Sequence, residues 1–134
     1  MLKKNQVQPL ISVILPTYNH ARFLKDAIDS VIKQDYSNWE LIIIDNYSTD
    51  HTDQVISLFK DDRIKNHKIN NHGIIAKSRN KGIQESKGDW IAFLDSDDIW
   101  YLNKLSTIIN YLNRYKKIDI VCSNEYLHNK STGK

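Results

Sequence analysis

The chain has 134 residues, of which 40% are hydrophobic and 26% are charged, an ordinary balance for a soluble globular protein. This length is enough for one domain with a sizeable core. The net charge of +3 is small and the lysines are scattered, which argues against a nucleic-acid-binding surface. The apolar runs are too short to span a bilayer, no signal peptide opens the chain, and a single cysteine excludes an internal disulfide and a cysteine-based metal site. We therefore expect a reduced, cytoplasmic protein that binds no nucleic acid.

Strand and helix patterns alternate along the chain. The run "LISVIL" is apolar throughout, which predicts a strand covered on both faces, as in a parallel sheet. The runs "ELIIID" and "WIAFLD" predict two more such strands, whereas "RIKNHKI" is polar enough for a sheet edge. The predicted elements in chain order are a strand at 10–15, a helix at 21–34, a strand at 40–45, a helix capped by Ser48 or Asp50 that contains Val55, Leu58 and Phe59, a strand at 63–69, a helix at 73–86, a strand at 90–95, a helix through 102–112 and a strand at 118–122.

This alternation indicates βαβ units with right-handed crossovers. We therefore predict an α/β fold, a Rossmann-like open and mostly parallel sheet with helices on both faces. Residues 10–125 are assigned to this domain, 1–9 to a polar N-terminal arm and 126–134 to a polar tail.

Unusual polar residues follow three of the predicted strands. The stretch "PTYNH" comes after the first strand, "DNYSTD" after the second and "DSDD" after the fourth. In open α/β sheets, ligands bind beyond the carboxyl ends of the strands, so these residues are expected to meet at one rim. The sequence therefore predicts a binding site there.

Three carboxylates lie within four positions in "DSDD": Asp95, Asp97 and Asp98. Like charges this close repel one another, so at least one pKa should be raised unless a cation sits among them. The chain has no glycine-rich phosphate loop, so a bound phosphate would need a divalent ion held by this cluster. Mg²⁺ and Mn²⁺ commonly use one or two carboxylates together with phosphate oxygens. The alternative is that Asp97 and Asp98 cap a helix that begins near Ile99.

The stretches "ISVILPTYN", "LIIIDNYSTDHT" and "SRNKGIQESKGDWIAFLDSDD", in this order, resemble the nucleotide-sugar domain of family 2 glycosyltransferases. The resemblance covers about residues 10–125 and implies the GT-A fold, with its C-terminal half incomplete in this chain. It implies a nucleotide-diphospho-sugar donor, with a UDP-sugar favoured, and Mn²⁺ or Mg²⁺ as the cofactor. It also implies inverting transfer to an acceptor hydroxyl in polysaccharide or glycoconjugate synthesis.

The same resemblance implies roles for individual residues. Thr17 and Asp45 should contact the nucleoside, Asp45 through the base, while Asp95 should reach the ribose or the ion. Asp97 should be the metal ligand of the D-x-D motif. Lys77 and Arg79 could reach a diphosphate or simply lie on a solvated helix face. The predicted substrate-binding residues are Pro16, Thr17, Tyr18, Asn19, Asp45, Lys77, Arg79, Asp95 and Ser96, and the predicted metal ligands are Asp95 and Asp97.

Other residues are expected to have structural places or no special role. Tyr47 stands where the family has a small residue, which would narrow the base pocket. Cys122 is expected in the core. The five histidines show no ligand spacing and are treated as surface or loop residues: His20, His51, His67, His72 and His128.

Two other functions remain open at this point. An aspartate-based phosphohydrolase would use "LDSDDI", and a non-catalytic module would bind the nucleotide-sugar without transferring it. After Asp98 the remaining carboxylates are Asp119 and Glu125, so the catalytic base is expected to be absent from this chain. The expected partners are a carbohydrate or lipid-linked acceptor, and peripheral membrane association and a homo-oligomer stay open.

Overall fold

Four parallel strands form one sheet in the computed structural model, which describes residues 8–115 and 117–126. The predicted arm and tail therefore lie outside the described residues, apart from Gln8, Pro9 and Tyr126. No helix in the described ranges is long and apolar enough to cross a membrane. The elements are β1 (Ile11–Thr17), α1 (Ala21–Ile32), β2 (Trp39–Asp45), α2 (Thr52–Ser57), β3 (Ile64–Lys68), α3 (Ile75–Glu85), β4 (Trp90–Phe93) and α4 (Lys104–Arg114).

The strands lie in the order β3-β2-β1-β4, and all neighbours are parallel. The two central strands, β1 and β2, are buried at every position because their side chains are covered on both faces of the sheet. The predicted α/β architecture is confirmed. The third strand is the edge strand that its polar sequence predicted.

Helices cover both faces of the sheet, as predicted. On one face, Val13 and Leu15 of β1 pack in a core with Leu24 and Ile28 of α1 and with Leu105 of α4. On the other face α3 packs on β1 and β2. A Cβ on Gly82 of α3 would lie 2.4 Å from Cγ2 of Ile14, so the glycine permits this close approach of helix and sheet.

The predicted strand at 118–122 is wrong. These residues form no strand beside β4, and the side chain of Ile120 is 81% exposed. Cys122 is also exposed, contrary to the expectation that it lies in the core. The segment instead returns toward the start of α4, where Lys104 donates a hydrogen bond to Ser123. An apolar β-branched run forms a strand only where a sheet edge pairs with it, and the sequence pattern alone did not show that this edge would stay unpaired.

A buried carboxylate joins three parts of the fold near the amino ends of the strands. Oε1 of Glu40, in β2, accepts hydrogen bonds from Ser12 Oγ at 2.7 Å and from the backbone N–H of Lys87 at 2.6 Å. Its other oxygen pairs with Lys65 Nζ at 3.2 Å. Burial opposes ionisation of Glu40, but these hydrogen bonds outweigh burial and hold the pKa of its carboxyl below the ordinary value of 4.5.

We predict that Glu40→Gln destabilises the fold at neutral pH by about 1 kcal/mol, because a neutral amide is a weaker acceptor than a carboxylate. Because folding lowers the pKa of Glu40, its contribution is fully present above pH 4.5 and is lost below pH 4.5, as the pH falls through the lower pKa of the folded protein. The difference between wild type and variant should therefore shrink in acid. Urea unfolding across this pH range measures it, with Asp26→Asn on the exposed side of α1 as control. Equal stability of wild type and Glu40→Gln at every pH would contradict the assignment.

Candidate functional site

A cavity of about 280 Å³ opens at the carboxyl ends of the parallel strands. It lies where the sequence predicted a binding site, and it is bordered by the loops after β1, β2 and β4 and by the start of α3. The lining residues are Pro16, Thr17, Tyr18, His20, Asn46, Asn71, Gly73, Ile75, Ser78 and Ser96. Of the predicted substrate-binding residues, the structure brings Pro16, Thr17, Tyr18 and Ser96 together here.

The loops after β1 and β2 are fastened to each other by hydrogen bonds through Asn19. Its backbone N–H donates to Ser48 Oγ at 2.9 Å, and its side-chain oxygen accepts from the N–H of Thr49 at 2.8 Å. Asn19 has a φ of 52°, in the left-handed region that asparagine tolerates better than most residues. Asn19 therefore shapes the cavity wall through the backbone of the neighbouring loop.

Asp45 is fully buried at the end of β2 and does not border the cavity. Its Oδ1 accepts from the N–H of Ser48 at 3.0 Å and from Ser48 Oγ at 2.5 Å. Its Oδ2 has no hydrogen-bond partner within residues 8–115 and 117–126, and it forms an ion pair with Lys68, whose Nζ lies 3.7 Å away. Lys68 is itself held by Asp53 at 2.5 Å. Asp45 thus organises the loop after β2, and one of its oxygens stays available.

Tyr47 lies in this loop with a φ of 53° and a side chain that is 58% exposed. A left-handed conformation costs a tyrosine about 1–2 kcal/mol more than a glycine. The aromatic side chain points out of the protein rather than into the described cavity. The expected narrowing of the base pocket by Tyr47 stays a prediction.

The segment between β3 and α3 forms a polar wall that the sequence pattern did not predict. Asn46 Oδ1 accepts from the N–H of Asn71 at 2.8 Å, and Asn71 Nδ2 donates to Ser78 Oγ at 2.9 Å. Asn71 Oδ1 also accepts from the N–H of Gly73, whose φ is 75°. The signal in the sequence was the Asn-x-Gly turn "NHG", which places a side-chain acceptor and a left-handed glycine at the start of a helix.

The carboxylate turn, residues 95–98, is closed by a bond from the N–H of Asp98 to the carbonyl of Asp95, at 3.0 Å. The helix that follows begins at Lys104, not near Ile99. Asp97 and Asp98 therefore do not cap it, and the alternative role considered for them is wrong.

The carboxylates of this turn differ in their surroundings. Asp95 Oδ1 accepts a hydrogen bond from Nη2 of Arg79 at 2.9 Å, so the Arg79 guanidinium is directed at Asp95. The side chain of Lys77 is exposed. Partial desolvation of the exposed Asp98 carboxyl is the largest cause that raises its pKa, and the charges of Asp97, Asp95 and Glu125 raise it further, so the predicted crowding contributes to the shift.

The donor set of the turn suits a hard cation that keeps open coordination positions. Within residues 8–115 and 117–126, no three Asp, Glu, His or Cys side chains surround one point. Exposed Asp97 and half-buried Asp95 match the one or two carboxylates that Mg²⁺ or Mn²⁺ takes when substrate oxygens supply further ligands.

His20 lies in the loop between β1 and α1, as expected, but it makes contacts that the sequence did not predict. Its side chain is half-buried, borders the cavity and lies with Nδ1 2.8 Å from Ser96 Oγ. Ser96 itself is only 5% exposed. This contact was invisible in the sequence because it joins two loops that are distant along the chain.

Three buried polar atoms near this rim have no hydrogen-bond partner among the residues that the structure describes: Thr17 Oγ1, Asp45 Oδ2 and Arg79 Nε. Buried polar groups in native proteins are almost always paired, so each such atom needs an explanation. Thr17 Oγ1 is the clearest case because Thr17 also borders the cavity. A ligand that offers a donor or an acceptor would satisfy it.

Comparison with known families identifies the chain. The family model described as "Glycosyl transferase family 2" matches residues 12–133. The chain belongs to glycosyltransferase family 2. The resemblance drawn from the sequence is thereby confirmed.

Known relatives of this family member include two bacterial proteins. The chain is 35% identical over 126 residues to the glycosyltransferase GlyG of Streptococcus pneumoniae. This alignment covers 92% of the chain and 42% of GlyG. The chain is 42% identical over 103 residues to UDP-Glc:alpha-D-GlcNAc-diphosphoundecaprenol beta-1,3-glucosyltransferase WfgD of Escherichia coli. This alignment covers 77% of the chain and 41% of WfgD. The chain thus spans about two fifths of the length of these relatives.

A solved structure has the same fold. The crystal structure of S. aureus TarS in complex with UDP-GlcNAc matches with a TM-score of 0.74 and 28% identity, over 79% of this chain and 32% of TarS. The parallel sheet with its flanking helices is therefore the GT-A arrangement that the resemblance implied.

We predict that Asn19→Ala destabilises the fold by about 1 kcal/mol more than His72→Ala. Both substitutions place alanine at nearly the same φ, 52° and 54°, so the backbone cost is matched. The difference reports the hydrogen bonds that the Asn19 side chain accepts from the loop after β2. Denaturant unfolding of the two variants measures it. Equal losses would show that this side chain does not hold the two loops together.

Proposed function

We propose that this domain binds a UDP-sugar together with Mn²⁺ or Mg²⁺, for inverting transfer of the sugar to an acceptor hydroxyl. The observation that carries the proposal is the joint placement of the unpartnered Thr17 hydroxyl and the carboxylate turn at one rim of the sheet. TarS, which shares the fold, is known in complex with UDP-GlcNAc, and the name of WfgD specifies a UDP-Glc donor. Both relatives support a uridine nucleotide here.

The nucleoside is assigned to the β1 and β2 side of the cavity. Thr17 Oγ1 would hydrogen-bond the nucleoside, and the free Oδ2 of Asp45 would accept from a base N–H after a small movement of the overlying loop. Tyr18 is 53% exposed at the cavity wall, where an aromatic ring can cover an apolar face of the ligand. Pro16 and Asn19 complete this side by fixing the backbone of the loop.

The diphosphate is assigned to the carboxylate turn. Asp97 and Asp95 would hold the cation, which when bound offsets the negative charge that develops on the departing diphosphate. Arg79 is placed to bind Asp95 or a phosphate oxygen, and its unpartnered Nε leaves it a further donor. Lys77, which is exposed in the first turn of α3, would supply a second positive charge to the diphosphate.

Transfer also needs an acceptor and a base. In single displacement the acceptor oxygen bonds to the anomeric carbon as the bond from that carbon to the diphosphate oxygen breaks, and the hydroxyl proton passes to a carboxylate. Asp119 is exposed on a segment without strand structure, and Glu125 lies near enough to Asp98 to raise the pKa of its carboxyl. Neither carboxylate borders the described cavity, and we propose that the base is not among the residues that the structure describes.

The acceptor is proposed to be a carbohydrate or a lipid-linked sugar in polysaccharide synthesis. The name of WfgD specifies a diphosphoundecaprenol-linked acceptor, which supports a lipid-linked one. Such an acceptor would bring a cytoplasmic enzyme to a membrane surface, so peripheral membrane association follows from the same proposal. A homo-oligomer stays a prediction.

A second candidate function is donor binding without transfer. The chain spans about two fifths of its relatives, which favours this for the isolated 134 residues. A radiolabelled transfer assay beside a UDP-sugar binding assay distinguishes the two functions. The phosphohydrolase alternative is set aside because the chain belongs to family 2.

We predict that Mn²⁺ strengthens UDP binding and that Asp97→Asn weakens binding in Mn²⁺ by about 10- to 150-fold, the value of a lost interaction with a charged group. Because the Asp97 side chain is exposed, the thermal stability of the Asp97→Asn variant should match that of wild type. Calorimetry with Mn²⁺ and with EDTA measures both, and Asp62→Asn, another exposed carboxylate, is the control. Equal UDP affinity of the wild type in Mn²⁺ and in EDTA would contradict cation-dependent binding.

We predict that Thr17→Val weakens UDP binding about 5- to 10-fold, because the ligand loses one hydrogen bond. The variant should be as stable as wild type, since the Thr17 hydroxyl has no partner within the described part of the free protein. Thr52→Val is the matched opposite case: its buried hydroxyl donates to Asp50 Oδ1 at 2.6 Å. That variant should lose stability and keep UDP affinity. Unchanged affinity of Thr17→Val would remove Thr17 from the nucleoside site.

A further inference from the structure

His20 stands at the N-cap of α1 but does not cap the helix with its side chain. This position favours Ser, Thr, Asp and Asn because their side-chain oxygens accept the free N–H groups of the first turn. Here Asp50, from the loop after β2, accepts from the N–H of Ala21 at 3.0 Å. The helix start is therefore satisfied from another loop, and the imidazole of His20 is available for a different contact.

The imidazole of His20 reaches across the cavity rim to the carboxylate turn. Its Nδ1 lies 2.8 Å from Ser96 Oγ, a hydrogen bond in which the ring tautomer decides which atom donates. The ring is edge-on to Phe23, with centroids 5.8 Å apart and an interplanar angle of 77°. Contacts with Ser96 and Phe23 therefore fix the orientation of the ring.

Ser96 is the buried centre of an otherwise accessible turn. It is 5% exposed, whereas Asp97 and Asp98 are exposed, and Asp95 is half-buried. Within the described chain, His20 is the hydrogen-bond partner of the Ser96 hydroxyl. One side-chain bond from the start of α1 thus anchors the middle of the D-x-D sequence.

We propose that His20 is a positioning residue for the donor site: through Ser96 it fixes the carboxylate turn relative to the loop after β1. The inference rests on the proposed function, in which one donor molecule contacts Thr17 with its nucleoside and the carboxylate turn with its cation-bound diphosphate. A ligand that bridges two loops binds well only if their spacing is already set, because otherwise ordering the loops costs part of the binding free energy. His20 and Ser96 both border the cavity between these loops.

The proposed role requires a side chain at position 20 that can form a hydrogen bond with Ser96. An asparagine amide can occupy the place of the imidazole Nδ1 and keep a hydrogen bond to Ser96, whereas alanine cannot. His51 is a matched control, because it is the N-cap of α2, also makes no side-chain cap bond and is exposed. Rescue by His20→Asn but not by His20→Ala would therefore report the hydrogen bond and not the helix start.

The test combines a cation titration with amide hydrogen exchange. UDP binding is measured by calorimetry at increasing Mn²⁺, and uridine binding without metal is measured beside it. His20→Ala should raise the Mn²⁺ concentration for half-maximal UDP binding about 10-fold, the equivalent of one lost hydrogen bond, and leave uridine affinity unchanged. Exchange of the Asp98 amide, which closes the turn, should become about 10-fold faster. His20→Asn and His51→Ala should behave like wild type.

Each other outcome has a definite meaning. If His20→Ala matches wild type in the Mn²⁺ titration and in exchange, the positioning role is overturned. If His20→Ala loses uridine affinity as much as cation-dependent affinity, His20 maintains the whole cavity and the specific role is again overturned. If wild type binds no UDP with Mn²⁺, the proposed function fails, while the exchange of the Asp98 amide still decides whether His20 holds the turn.

Discussion

The parallel pairing of β1 with β2 is the contact on which the candidate site depends. The register sets Thr17 opposite Asp45, so both strands end at the same level and release their loops at one edge of the sheet. Because the two strands are buried along their whole length, a shift of register would expose apolar residues or bury polar ones, and the alignment is strongly held. Loops that begin from such fixed points can present polar side chains to a ligand at little further cost in ordering.

The loops themselves are held by side chains where backbone hydrogen bonds end. Asn19 accepts a hydrogen bond from an N–H group of the loop after β2, and Asp45 accepts one from the loop that follows it. Asp50 accepts one from the first residue of α1. Two of the residues in these loops, Asn19 and Tyr47, have left-handed backbones. Strain of this kind persists only where the surroundings determine the conformation, and it is commonly found at ligand-binding sites. The interlocked loops supply such surroundings.

The architecture and the location of the site could be predicted because both follow from local patterns. Continuous apolar runs such as "LISVIL" and "LIII" indicated buried parallel strands, and polar residues after them indicated the rim. The strand at 118–122 could not be judged in this way, since its apolar pattern says nothing about whether a sheet edge pairs with it. His20 and Asn71 were missed for a related reason. Their contacts join segments that only the tertiary fold brings together, so the spacing of residues along the chain does not predict these contacts.

The order of the strands has a consequence for how the domain acquires its site. β1, β2 and β3 are neighbours in the sheet in the order in which they are made, whereas β4 pairs with β1, from which it is separated along the chain by two strands and three helices. Contacts between segments far apart in sequence carry a larger loop-closure entropy and tend to form late in folding. The carboxylate turn follows β4, so Ser96, the residue of this turn that lines the cavity, is in place only when this last, distant pairing forms. A chain that has folded only its first three strands would hold the cavity walls after β1 and β2 but not the wall after β4, so the cavity is complete only at the end of folding.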